Sequence, residues 1–415
     1  MNKDNRIFIF DTTLRDGQQS PGAGMSFEDN LSYAQKAHQL NVDILEAGFP
    51  AASQTEFDIV HTISQEMADQ NSNMCIAALC QLREAQVIKT MEALLPSQKK
   101  LKARVHTYLP VDPNLMQASL GAMANQPHQL IENVYRLIHI AAQAGYEVEF
   151  SPEGYSRMGE NFDFTTDVIR AAISAGATII NCPDTIGGSA VYEGDSYFVK
   201  NMQRHADIIQ REFPGIPVIW STHCHNDFGL AVQNSLNAVF HGPARQIEGC
   251  INGVGERAGN AALEQCIVLI DQFGIHQNQS TPFYTDCNHK YLKNISDFIS
   301  ERMLPRQPHF PITGENAARH TSGGHTNAIL QNPLAYQPFD PESIGSNIDF
   351  TFGPLSGSNH AQDIIQKAGF VCEEHEKTVI TQAIKNYYAD RRKGITDQEL
   401  LIAYSHYRQS CQKEF

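Results

Sequence analysis

Eight short runs of apolar and β-branched residues, each followed by a longer stretch, constrain this chain more than any other feature. They are Ile7–Asp11, Val42–Gly48, Met74–Leu79, Ala103–Leu109, Tyr146–Ser151, Thr178–Cys182, Val218–His223 and Gln246–Ile251. Their spacing is roughly the 30-residue interval of a βα unit. Amphipathic segments lie between them, including Ser26–Leu40, Pro127–Ala144, Asp163–Ser174 and Asp227–His241. Ser26 and Asp29 read as a capping-box start, Pro127 suits a first helical turn, and Asp163 is placed to cap a helix from Phe164. Strand alternating with helix implies a parallel sheet, and eight repeats predict its closure into an α/β fold, a (β/α)8 TIM barrel.

The polar residues support closure. Asp11, Arg15, Asp16, Glu46, His106, Glu153, Asp184, His223, His225 and Asn252 all finish or follow an apolar run. Barrel enzymes assemble their sites at that carboxyl-terminal rim, where residues distant in sequence converge. His223-Cys-His225 is the sharpest of these groups. Residues two apart on a strand point the same way, so both imidazoles face one side, as half of a divalent metal's ligand shell. Asp16 adds a carboxylate, and Arg15 beside it a permanent cation able to bind a carboxylate or carbonyl oxygen. Asn260 closes the segment Asn252-Gly-Val-Gly-Glu-Arg-Ala-Gly-Asn260, whose glycines permit positive φ and close backbone approach. That spacing matches neither a P-loop nor a dinucleotide fingerprint.

Residues 1–279 are assigned to the barrel and 280–415 to a second, mainly helical accessory region. Helices are expected there at Leu292–Met303, His360–Lys367, Glu376–Ala389 and Asp397–Tyr407, with Arg306–Pro311 as a linker. The net formal charge is −15, without a basic block, which argues against nucleic acid or an anionic membrane as partner. No run of about 18 apolar residues and no signal-peptide core occurs, so a cytoplasmic location is expected. The nine cysteines are odd in number and scattered, the pattern of reduced, buried thiols.

Asp11-Thr-Thr-Leu-Arg-Asp-Gly-Gln-Gln19, the segment from His223 to Ser235, and Gly249 to Asn260 together resemble the DRE-TIM metallolyase superfamily. Within it they look most like the isopropylmalate synthase branch of the isopropylmalate/homocitrate synthase family. His320-Thr-Ser-Gly-Gly-His325 and Tyr336 with Pro341-Glu-Ser-Ile-Gly345 extend the likeness over the accessory region. The resemblance implies a metal-dependent Claisen condensation of acetyl-CoA with 2-oxoisovalerate, giving 2-isopropylmalate and CoA. It implies Asp16, His223, His225 and Asn260 (directly or through water) as ligands of Mn²⁺ or Mg²⁺, with Zn²⁺ or Co²⁺ as other options. Arg15, Glu153, His325 and Tyr336 are then catalytic, and Arg15, His106 and Thr185 bind substrate. A homodimer is implied, in which His325 and Tyr336 could act in trans, as is the absence here of the family's C-terminal regulatory domain.

Some positions depart from the family pattern. His106-Thr-Tyr-Leu-Pro-Val-Asp112 differs after the second residue, which puts Pro110 and Asp112 in a loop expected to border the 2-oxo acid pocket. Gly324, Thr326, Asn327 and Ser356-Gly-Ser-Asn also differ. Homocitrate or citramalate synthase, a metal-dependent carbon–carbon lyase and a catalytically silent barrel are the rival readings.

Overall fold

The computed structural model describes residues 5–100, 103–189, 197–274, 282–391 and 393–412. Eight parallel strands close into a barrel in sequence order. They are β1 (Phe8–Asp11), β2 (Ile44–Glu46), β3 (Cys75–Gln81), β4 (Ala103–Pro110), β5 (Glu147–Glu153), β6 (Ile179–Asp184), β7 (Ile219–Cys224) and β8 (Ala244–Gly249). All eight expected strands are present. Their ends differ from the expected ones by at most two residues.

The surrounding helices are α1 (Phe27–Leu40), α2 (Gln54–Asp69), α3 (Glu84–Lys100), α4 (Pro113–Leu120), α5 (Pro127–Gln143), α6 (Phe162–Ala175), α7 (Tyr197–Glu212), α8 (Ala231–Phe240) and α9 (Leu263–Phe273). Ser26 caps α1 by accepting from the Asp29 amide at 3.0 Å, and Pro127 opens α5. Asp163 does not cap α6. Helix α6 starts one residue before it, and Asp163 lies within the first turn. Helix α8 also starts later than expected, since Asn226 turns the chain and accepts from the Ala231 amide at 3.2 Å.

The expected division at residues 279 and 280 lies outside the described residues. The chain separates into two compact units, Met1–Arg306 and Gln307–Phe415. The helix expected at Leu292–Met303 is α10 (Leu292–Arg302) and belongs to the first unit. It packs on α1, where Lys36 donates to Asn294 at 2.7 Å and sits over the Phe298 ring. The second unit holds α11 (Gly323–Gln331), α12 (Ser358–Lys367), α13 (Lys377–Tyr387) and α14 (Asp397–Gln412). Its own core joins Phe352, Ile365, Ile380, Ile384 and Leu400. Pro341 opens a single 3-10 turn capped by Asp340. Among the described residues no helix is long and apolar enough to cross a membrane. All nine cysteines are free thiols.

Candidate metal centre and active site

The loop after β1 is built by its own side chains. Asp11 accepts from the Thr13 amide at 2.9 Å and from the Tyr33 hydroxyl at 2.5 Å, while Thr13 takes the Ile251 amide at 2.9 Å. The Arg15 and Asp16 amides both fold back onto the Thr12 carbonyl, at 3.0 and 2.8 Å. This tight turn aims Arg15 and Asp16 over the barrel mouth. Asp11 thus serves the loop and is not part of the mouth.

Arg15 Nε donates to Glu46 Oε2 at 2.5 Å, and its Nη1 to Asp16 Oδ2 at 2.6 Å. Burial opposes ionisation of all three, but their mutual attraction wins. Arg15 is held more firmly cationic than usual, and Asp16 and Glu46 stay below the usual carboxylate range.

Strand β7 delivers His223, and the next two residues carry His225, whose amide donates to the Asp184 carbonyl at 3.1 Å. The two Nε2 atoms face each other at 3.3 Å, and His223 Nε2 lies 3.6 Å from Asp16 Oδ2. Burial lowers both imidazoles to about 4, so both are neutral at pH 7. The segment from Asn252 to Asn260 folds back beside them and pairs Asn260 with His225. Asn260 Nδ2 donates to Asp16 Oδ1 at 2.9 Å, leaving its buried Oδ1 without a donor. Gly255 makes this possible: a Cβ there would lie 2.2 Å from Asn260 Nδ2 and 3.1 Å from Asp16 Oδ1.

These residues suit a divalent cation. Ligand atoms of Asp16, His223 and His225 lie within 4.8 Å of one another, all buried. Two bare imidazole nitrogens at 3.3 Å repel unless a cation or proton sits between them. Ligands about 2.0–2.2 Å from one metal are about 3.0–3.4 Å apart when adjacent, which matches that separation. The orphaned Asn260 oxygen faces the same need for a positive partner. A second group, His106 with Glu149 and Glu248, is also clustered. Two of its members are already engaged: His106 through both ring nitrogens, and Glu149 by accepting from Arg104 and from Gln246, each at 2.8 Å.

Asp16, His223 and His225 line a cavity of about 290 Å³ with Arg15, His106, Glu153 and Thr185. Leu79, Tyr108, Ser151, Asn181 and Pro183 also line it, with Gln19, Glu248, Glu256 and Arg257. His106 has both ring nitrogens occupied, by Glu46 at 2.7 Å and Ser151 at 2.8 Å, so it offers a ligand its ring face. Thr185 accepts from the Gly154 amide at 3.0 Å. Glu153 ends β5, and its carboxyl is raised above the usual range by burial, with Arg15 partly offsetting this. No side-chain donor pairs with it among the described residues.

Not every expected rim residue faces this cavity. Asp184 binds the Ser189 amide at 3.1 Å and Asn234 at 3.0 Å. Asn252 donates to the Ser296 carbonyl of α10 at 2.8 Å. Both tie the rim to the helical layer. Asp112, expected to reshape the pocket, caps α4 through the Asn114 amide at 2.9 Å and pairs with Arg157. The residue therefore braces the loops that carry Glu153. Sequence reasoning passed over Glu248, Glu256 and Arg257. Arg257 grips Asp227 with two bonds of 2.8 and 2.9 Å and the Thr185 carbonyl at 2.7 Å, stapling three rim loops. Glu248 was legible as a charge on the same strand face as Gln246.

In the second unit His325 lies near the start of α11 and stacks on Tyr336, with ring centroids 3.8 Å apart. His320 lies 5.9 Å from His325 by the same measure and contacts Gln337 at 2.8 Å.

A closed barrel with this cluster at its carboxyl-terminal rim defines the class: residues 6–299 match the HMGL-like family, and residues 312–393 the homocitrate synthase post-HMGL domain-like family. The fold also matches HMG-CoA lyases from Brucella melitensis (TM-score 0.55, 15% identity, 71% of this chain and 98% of that one) and Pseudomonas aeruginosa (0.54, 17%, 74% and 97%). Sequence takes the assignment further. The 2-isopropylmalate synthase of Neisseria meningitidis serogroup B is 36% identical over 405 residues, covering 96% of this chain and 73% of that protein. The Aquifex aeolicus synthase is 36% identical over 95% of this chain and 72% of its own length. This chain belongs to the 2-isopropylmalate synthase family.

Proposed function

We propose that this chain is an acyltransferase that condenses acetyl-CoA with 2-oxoisovalerate, releasing CoA and 2-isopropylmalate, the first committed step of leucine biosynthesis. The observation that carries this reading is a single cavity holding Asp16, His223, His225, Arg15 and Glu153 in a chain 36% identical to such synthases over 96% of its length.

Asp16, His223 and His225, with Asn260 beside them, would hold a divalent cation. Mixed oxygen and imidazole donors suit Mn²⁺ or Mg²⁺, with Zn²⁺ and Co²⁺ as other candidates. When bound, the cation supplies Lewis-acid polarisation of the 2-oxo group. The protein's own groups do the rest. Thr185 and the His106 ring face orient the 2-oxo acid. Glu153, raised by burial, takes a proton from the acetyl methyl, and the resulting carbanion attacks the keto carbon. Free N–H groups of Arg15 stabilise the oxygen on which negative charge develops. Thioester hydrolysis then releases CoA; by family resemblance His325 joins Glu153 at the methyl proton transfer, and Tyr336 is assigned to the thioester or the hydrolytic water.

The cavity wall favours a branched aliphatic 2-oxo acid over one with a second carboxylate. Leu79, Tyr108 and Pro183 present apolar surface, and the charges of the two lining arginines are already paired, Arg15 with Glu46 and Asp16 (its remaining N–H groups serving the reacting oxygen) and Arg257 with Asp227. A distal carboxylate would find no uncommitted cation among these lining residues. The test is thiol release from acetyl-CoA with 2-oxoisovalerate, pyruvate and 2-oxoglutarate, with and without chelator. Highest kcat/KM on 2-oxoisovalerate with loss on chelation is expected; preference for either other acid, or chelator-insensitive turnover, refutes the reading.

A further inference from the structure

Beneath the metal centre is a buried carboxylate that the reaction scheme does not use. Glu248 sits on β8 as the register partner of His223 on β7. Neighbouring residues of parallel strands share a face, so both side chains enter the barrel interior. Glu248 Oε2 lies 3.3 Å from His223 Nδ1. Both atoms are fully buried and have no hydrogen-bond partner elsewhere among the described residues. His225 differs: its Nδ1 is equally buried, yet no carboxylate is paired with it among the described residues.

An imidazole that binds a cation through Nε2 carries its proton on Nδ1, and an acceptor there fixes the tautomer, orients the ring and makes Nε2 a better donor. The present 3.3 Å is just beyond the usual range of an N–H···O bond and the two atoms are not aligned for one, so a small approach and turn of the ring or carboxylate closes it. The other end of Glu248 is anchored: Oε1 takes the Ser221 hydroxyl at 3.5 Å, and Ser221 is in turn held by Gln246 at 2.9 Å. Gln246 and Arg104 grip Glu149 below it. The carboxylate is therefore braced from the barrel floor and directed at one ligand.

We propose that Glu248 is the positioning residue for His223, fixing its Nδ1–H tautomer so that Nε2 is presented to the cation. This rests on the metal-dependent reading above. It also separates the two histidines: His223 is the braced, strong ligand and His225 the adaptable one.

Metal affinity tests it without recourse to turnover. The full chain, stripped by chelator, is titrated with Mn²⁺ by calorimetry as wild type and as Glu248→Gln, which keeps shape and removes charge. The expected result is an affinity about 10–100-fold weaker in the variant. If Glu248 only packed the interior, the melting temperature of the stripped protein would change and Mn²⁺ affinity would not. Equal affinities, with wild type binding well, overturn this inference alone. A wild type that binds no Mn²⁺ removes the metal-dependent reading and this one with it. A second measurement needs no stable variant. In ¹⁵N-histidine-labelled, metal-free wild type, His223 is expected as the Nδ1–H tautomer; protonation on Nε2 with bare Nδ1 overturns the proposal.

Discussion

Glu153 sits in the resting protein at an energetic cost. It is half-buried, no side-chain donor pairs with it among the described residues, and desolvation raises its carboxyl above the ordinary 4.5. A group kept only for its chemistry shows this pattern, because an isosteric neutral side chain would fit the same place more comfortably. Glu153→Gln is therefore expected to lower kcat by about 10²–10⁴-fold, the usual worth of a positioned base. The same variant should melt at the same temperature or higher, since the cost of burying a charge is removed. Thiol-release kinetics and calorimetry check both halves; a variant with wild-type kcat would remove Glu153 from the mechanism. In the wild type the base must be ionised to act. The ascending limb of kcat/KM should accordingly lie above pH 4.5, in the direction that burial drives the carboxyl.

The elements that hold these residues differ in how openly the sequence declares them. The strands were readable because each is a short apolar run bounded by polar residues, and the rim followed because barrels build at strand ends. Helix α11, which carries His325, was not: it opens Gly323-Gly324, and glycine is among the weakest helix formers. The start of α6 was misjudged where Asp163 looked like a cap, and α8 starts four residues after Asp227 because Asn226 turns the chain first. Of the site, the His223 and His225 pair was legible from spacing, while the full ligand set with Asp16 and Asn260, and the roles of Glu153, His325 and Tyr336, needed the family pattern. The roles of Asp184, Asn252 and Asp112 could not be read, since a polar residue after a strand can face the mouth or the helical layer. The loop of β8 makes a test at this scale. Gly255 has φ +150° and no room for a Cβ beside Asn260 and Asp16. Gly255→Ala should push Asn260 off Asp16 and weaken Mn²⁺ binding at least 10-fold by calorimetry. Unchanged binding would mean the loop yields without disturbing the cluster.

Across the whole molecule, polar groups are buried for different ends in the two units. The barrel interior holds Glu46, Glu149, Gln246 and Glu248 at 0% exposure, where many barrels pack branched aliphatics. Its pKa shifts have mixed signs. Buried Glu248 and Glu264 rise to about 7, whereas His205, His223 and His225 fall to about 4, so acid both stabilises and destabilises this unit. The second unit is less balanced. His360 lies among Phe350 and Phe352, and burial lowers it to about 4, outweighing the nearby Asp363 and Asp349. Glu376 is also lowered, by Arg408. Between about pH 6.5 and 4 an unfolded His360 takes up a proton that the folded one refuses, so stability is lost as pH falls through that window. The depressed Glu376 loses its contribution only below about pH 4.5, and raised Asp397 works in the opposite sense, so neither sets the loss between pH 6.5 and 4.5. Calorimetry is expected to show the transition of the Gln307–Phe415 unit dropping in midpoint between pH 7 and 4.5 by more than that of the barrel. His360→Phe keeps an aromatic ring against Phe350 and Phe352 and cannot titrate, so it should blunt that drop and mark which transition belongs to this unit. An equal acid shift in His360→Phe would show that the buried imidazole is not the source.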